Sequence, residues 1–127
     1  RELLNGLTAR HESNYAGYYG DHPGQREWPR ASHPVVRTHP VTGRKALYVN
    51  AGFTRRIEGL RRPESDALLG FLVEHAKNPA YQCRFRWEPY SVAMWDNRCV
   101  QHMAVWDYYP ETRSGLRVTV KGDRPFH

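Results

Sequence analysis

From Tyr81 to Trp87 the chain alternates without a slip, with Tyr81, Cys83, Phe85 and Trp87 on one side and Gln82, Arg84 and Arg86 on the other. Successive Cβ atoms of an extended chain point to opposite faces, so a period of two with one aromatic-rich face specifies a half-buried β-strand. Arg84 and Arg86 then belong to the solvent face. Glu88-Pro89-Tyr90-Ser91 turns the chain, and Val92 to Trp95 begins a further strand. A chain built on such a stretch needs a sheet.

The remaining segments fit a strand-rich core with one clear helix. Val35 and Val36 precede a turn at Pro40-Val41-Thr42-Gly43, after which Ala46, Leu47, Tyr48 and Val49 supply a second strand, so residues 33–50 read as a β-hairpin. Residues 63–78 read as a helix. Pro63 suits its first turn, Glu64 and Asp66 favour the positive N-terminal end, and Leu68, Leu69, Leu72, Val73 and Ala76 form one apolar face. His75 and Lys77 suit its last turn and Asn78-Pro79 stops it. Leu3, Leu4 and Leu7 predict a short amphipathic helix within residues 1–10. Residues 12–32, dense in Gly, Pro, Tyr and polar side chains, read as a loop.

The 127 residues suit one small domain, and 39% hydrophobic with 13% aromatic content is too rich for disorder. No apolar run approaches a membrane span and no signal peptide is visible, so a cytoplasmic protein is expected. Cys83 and Cys99 are too few for a secreted disulfide scaffold, and reduced thiols are expected. The formal charge of +6 would permit a nucleic-acid partner, but the Lys and Arg residues are scattered with no block of five, so neither nucleic acid nor membrane is expected. Cys99 and His102 have the spacing of half a zinc site without a second half. There is no Gly-x-Ser-x-Gly nucleophile motif and no Gly-rich phosphate loop.

What remains is chemistry concentrated between Trp95 and Arg117, in WDNRCVQHMAVWDYYPETRSGLR. Asp96-Asn97-Arg98 is a polar break whose side chains can bond the backbone and fix the entry to His102. Ten residues separate His102 from Arg113, and Arg117 lies four further on. On a strand over 113–117 both guanidinium groups would share a face, roughly 13 Å apart. A neutral imidazole beside two such forks can hold a divalent metal and two small anions. His33 and His39 each precede a proline and read as strand-end residues, not ligands.

This stretch resembles the C-terminal signature of the taurine dioxygenase (TauD/TfdA) family of Fe(II)- and 2-oxoglutarate-dependent dioxygenases. GLTARH at 6–11, HPVVRTHPVTGRKALYVNAGFTRRI at 33–57, ESDALLGFLVEHAKNP at 64–79 and KGDRPF at 121–126 resemble the same family in the same order. The resemblance implies a mainly β fold with flanking helices, a double-stranded β-helix or jelly-roll core, of which residues 1–127 would be the C-terminal part of a single domain. It implies His102 as an Fe(II) ligand, Arg113 on the distal carboxylate of 2-oxoglutarate and Arg117 on the substrate anion. Phe53 resembles the family phenylalanine that packs on substrate; a plain core aromatic is the other reading. The 12–32 loop would cover the active-site mouth with Tyr15, Tyr18, Tyr19 and Trp28, or be a surface loop pinned by those aromatics. The implied reaction uses Fe(II), 2-oxoglutarate and O2 to hydroxylate a small anionic organic substrate of sulfonate, sulfate ester or aryloxyalkanoate type, releasing succinate and CO2. A homo-oligomer is compatible with it.

One part of the pattern is missing. Such enzymes hold iron with two histidines and a carboxylate, the first two ligands forming a His-x-Asp or His-x-Glu pair. Two residues after the histidines stand Ser13, Gly24, Val35, Val41, Lys77 and Ala104, none acidic, and His127 is the final residue. Asp96 lies in the turn before His102 and does not match the missing carboxylate. The other two ligands are therefore expected in a preceding segment. Two alternatives stand beside this reading: a non-catalytic barrel that binds small anions without a complete metal site, and an interaction module using the Tyr-rich loop and the basic surface.

Overall fold

The computed structural model describes residues 2–13 and 28–127. Five strands and one α-helix occupy residues 8–76: β1 Thr8–Glu12, β2 Arg30–Pro34, β3 Val36–Thr38, β4 Lys45–Leu47, β5 Thr54–Ile57 and α1 Arg62–Ala76. β1 is the central strand of a three-stranded antiparallel sheet in the order β2-β1-β5, and β3 pairs with β4 as an antiparallel hairpin. Between Arg10 and His11 the register against β5 shifts, a bulge that re-aims the following side chain.

The hairpin forms as its sequence predicts. His39 N–H donates to the Arg44 carbonyl and Gly43 N–H to the His39 carbonyl, each at 2.9 Å. Gly43 sits at φ +67°, a left-handed conformation that a residue without Cβ adopts readily. The helix also forms as predicted. Arg61 N–H donates to the Glu64 carboxylate at its start, and Asn78 Oδ1 accepts from Ala80 N–H just beyond its end. Ser65, Leu69 and Leu72 are the buried residues of its inner face. Ser65 carries the join to the sheet: its buried hydroxyl accepts from Ile57 N–H at 2.8 Å. Ala9, Val35, Val49, Ile57, Leu69 and Leu72 make the core, with Leu4, Leu7, Val36, Leu47, Leu60 and Leu68 packed around it.

Three expectations need correction. The N-terminal helix is a single 3-10 turn, Glu2–Leu4, followed by β1; Gly6 at φ +82° turns the chain and pairing on both edges draws residues 8–12 into a strand. Leu4 and Leu7 keep their apolar role by packing on the core. The 12–32 segment is not wholly loop, because Glu12 pairs with Arg30 at the end of the β1–β2 ladder. Of its aromatics, Tyr15, Tyr18 and Tyr19 lie outside the described residues. Finally, residues 81–87, 92–95 and 113–117 form no strand. Their backbone finds no ladder partner among the described residues, and Tyr81, Phe85 and Trp87 are all at least half exposed. Alternation encodes a preference for a pleated, half-buried site but cannot supply the neighbouring strand. No described helix is long and apolar enough to cross a membrane.

The core assignment predicts a contrast. Ile57→Ala, at a fully buried position, should lower the unfolding free energy by about 2–5 kcal/mol. Phe71→Ala, on the exposed side of α1 at 66% accessibility, should change it by about 0.5 kcal/mol or less. Urea denaturation of both variants checks the difference.

Candidate active site

His102 lies on an exposed stretch without secondary structure, but it is not placed at random. Its ring packs on Trp95 with centroids 4.6 Å apart, and both ring nitrogens are free of hydrogen bonds among the described residues. The preceding turn forms as the sequence predicts. Asp96 Oδ1 accepts from Arg98 N–H at 2.9 Å, and the Asp96 carbonyl accepts from Cys99 and Val100 N–H at 3.1 and 2.9 Å. Beside His102, the Gln101 amide donates to the Val49 carbonyl at 2.8 Å, tying this stretch to the end of the β3–β4 hairpin.

Phe53 is positioned by an Asn50 turn. Its N–H donates to Asn50 Oδ1 at 2.8 Å, and its carbonyl accepts from Glu12 N–H at 2.9 Å. Its side chain is partly exposed. Arg113 and Arg117 are exposed on a segment without ladder pairing, so the expectation of a shared strand face does not apply to the described arrangement. The elements position His102 and Phe53 individually but do not assemble the four predicted residues through strand register.

Sequence reasoning missed two clusters. The first is His11, His33 and Tyr48. The two imidazoles meet edge to face with centroids 5.0 Å apart, and His11 stacks on Tyr48 at 5.8 Å. Burial, followed by the neighbouring His33, lowers the His11 pKa to about 4. Burial also lowers that of His33, aided by Arg124 and Arg37. Both rings are therefore neutral near pH 7. Pairing of β1 with β2 brings these histidines together across 22 residues, a proximity that no local motif signals.

The second cluster is ionic. Arg37 is 1% exposed, donates to Asp123 at 2.7 Å and lies over the Tyr48 ring at 5.1 Å. Arg98 sits 3.7 Å from Asp123 and forks onto both oxygens of Asp96. Asp96 also meets His39 Nε2 at 3.0 Å. Hydrogen bonds from Arg98 and then His39 hold the Asp96 carboxyl well below the usual carboxylate range. The signal in sequence was weak: His39 opens the hairpin turn and Asp96 opens the polar break, but 56 residues separate them.

His39, Asp96 and Cys99 place one potential ligand atom each within 4.8 Å of one another. The hydrogen bonds oppose a metal there. His39 Nδ1 faces two backbone donors, Val41 and Thr42 N–H, both at 3.3 Å, so the ring proton belongs on Nε2 and points at Asp96. A metal on Nε2 would drive that proton onto Nδ1, against two N–H groups, and would compete with Arg98 for Asp96. The trio is a structural node.

Residues 1–119 match the family model described as taurine catabolism dioxygenase TauD, TfdA family. A putative alpha-ketoglutarate-dependent sulfonate dioxygenase of Schizosaccharomyces pombe is 42% identical over 130 residues, covering 99% of this chain and 33% of the relative. An alpha-ketoglutarate-dependent sulfate ester dioxygenase of Pseudomonas putida is 39% identical over 137 residues, covering 98% of this chain and 45% of the relative. The chain thus spans between a third and a half of these two relatives. A crystal structure of a taurine dioxygenase from Burkholderia xenovorans superposes with a TM-score of 0.65 at 41% identity, covering 77% of this chain and 32% of that one.

The neutral His11 generates a pH prediction. Its folded pKa of about 4 lies below the ordinary imidazole value of 6.5, so between those values the unfolded chain binds the proton and the folded one does not. This contribution to stability is full above about pH 6.5, is lost as pH falls through that window, and is gone below about 4. His11→Phe should flatten this part of the profile. Unfolding midpoints of the two proteins from pH 7 to 4 check it, and parallel profiles would refute the assignment.

Proposed function

Because this chain belongs to the TauD/TfdA dioxygenase family, we propose that it is the C-terminal part of a single dioxygenase domain with a double-stranded β-helix core. The domain would use Fe(II), 2-oxoglutarate and O2 to hydroxylate a small anionic organic substrate, yielding succinate and CO2. The observation that carries the reading is the family match over residues 1–119, which takes in His102, Arg113 and Arg117. Relatives named sulfonate and sulfate ester dioxygenases support a sulfur oxyanion as the group recognised.

His102 fits iron as one donor of three: its ring nitrogens are open among the described residues and its ring lies against Trp95. One imidazole alone does not define a facial site, so a histidine and a carboxylate from a preceding segment would complete it. Bound iron would supply the oxidising chemistry. The chain's own residues hold and orient. Arg113 offers a planar fork to the distal carboxylate of 2-oxoglutarate, Arg117 a second fork to the substrate anion, and Phe53 an apolar wall beside the carbon to be hydroxylated.

Two outcomes test this. Residues 1–127 alone should release no iron-dependent succinate, while the complete domain should, and His102→Ala in that domain should abolish it. In the complete domain Arg113→Ala should raise the half-saturating 2-oxoglutarate concentration, and Arg117→Ala that of the primary substrate, without crossing. Truncating one partner of a buried charge pair costs about 3–5 kcal/mol, on the order of 10²–10³-fold in affinity. Titrations with 2-oxoglutarate and with a panel of sulfonates, sulfate esters and aryloxyacids measure both effects. Arg117→Lys should recover part of the loss, since an ammonium lacks the two-pronged geometry. If Arg117→Ala shifts neither titration more than a few-fold, the anionic-substrate reading fails.

A further inference from the structure

We propose that His39 is a positioning residue for His102, acting through Asp96 to set where the metal-binding imidazole points. The inference rests on the reading of His102 given above and adds a part that its chemistry does not require: a buried histidine on the hairpin turn that never touches the metal.

The path is continuous. His39 is buried at the mouth of the β3–β4 turn, where Nδ1 accepts from Val41 and Thr42 N–H. Those two donors fix the tautomer, so Nε2–H donates to Asp96 Oδ2 at 3.0 Å. Asp96 in turn organises the 96–100 turn through its Oδ1 and its carbonyl. Trp95, on one side of Asp96, packs at a tilt against the His102 ring, and Gln101, beside His102, is tied to Val49 at the other end of the same hairpin. His102 is thus reached from two tethers, both anchored on one rigid element. Without a ladder over residues 92–105 among the described residues, these polar tethers carry the placement. Outer groups that orient a metal-binding imidazole typically tune metal affinity 10–100-fold when removed.

The two nitrogens of His39 do separate jobs, so two amides can divide them. Asn at 39 carries its oxygen near the Nδ1 position and can still accept from Val41 and Thr42 N–H, but it falls short of Asp96. Gln at 39 reaches Asp96 with its amide N–H and gives up the turn contact. The complete domain is titrated with Co(II), whose visible absorption reports both occupancy and ligand geometry. His39→Asn should raise the Co(II) dissociation constant about 10-fold or more and change the band shape, and His39→Gln should stay within about threefold of the parent. Equal losses in the two variants, a larger loss in His39→Gln, or parent-like binding by His39→Asn would overturn the proposal. Should His39→Asn fail to fold, Asp96→Ala cuts the same path at its next member, and a dissociation constant within about threefold of the parent then overturns it. His102→Ala is the control for the underlying reading: unchanged Co(II) binding in that variant removes the ligand assignment itself, and this inference with it.

Discussion

A chain of charges runs through the join between residues 96–126 and the rest of the protein: Arg37 to Asp123, Asp123 to Arg98, Arg98 to Asp96, and Asp96 to His39. Both ends lie on the β3–β4 hairpin, so the C-terminal part returns to the element from which the network starts. The Arg37 guanidinium is nearly fully buried, and its Nε lacks a hydrogen-bond partner among the described residues. An unmet buried donor of this kind costs about 1–3 kcal/mol, which the Asp123 bond and the Tyr48 ring offset. A buried ion pair is weak evidence of stability but good evidence of fixed register, because few other arrangements satisfy the charge. Thr38 N–H closes the same join by donating to the Phe126 carbonyl at 2.8 Å.

This dependence explains which parts of the fold were legible in sequence. The hairpin and α1 are closed by local devices: a Gly43 turn, an Arg61–Glu64 cap and a stop at Asn78-Pro79. All are spelled within a few residues. The alternation at 81–87 and the spacing at 113–117 are equally clear as patterns, but a ladder is a relation between two segments, and the described chain offers no second one. Leu3, Leu4 and Leu7 misled for the related reason that pairing of β1 on both edges outweighs a local helical spacing.

The site divides along the same line. His102, Arg113 and Arg117 stand as candidates from residue type, order and a family resemblance, whereas the Asp96 turn was legible as local geometry. His39 was read only as a residue before Pro40, because its partner lies 57 positions away and histidine is common at strand ends. The His11, His33 and Tyr48 cluster was invisible for a similar reason: a ladder and a stack bring the three together. Long-range polar contacts carry no periodicity, so they appear only when the backbone is in place.

A division of labour follows between the two kinds of constraint. Ladder pairing would set the faces on which Arg113 and Arg117 stand, and hence the spacing of the two proposed anion sites; it needs partner strands. The polar tethers through His39, Asp96 and Gln101 set the bearing of His102, and they are complete within the described residues. The exposed apolar side chains at Phe85, Trp87, Leu116, Val118 and Val120 mark where the first kind is unmet. Directional bonds to charged groups can form without a surrounding sheet, since each needs a single partner at about 3 Å. Burial of an apolar face needs a second face. Hydrogen bonds therefore hold the residues that flank the proposed metal ligand, while Arg113 and Arg117, the proposed anion-binding residues, stand on a stretch without ladder pairing among the described residues.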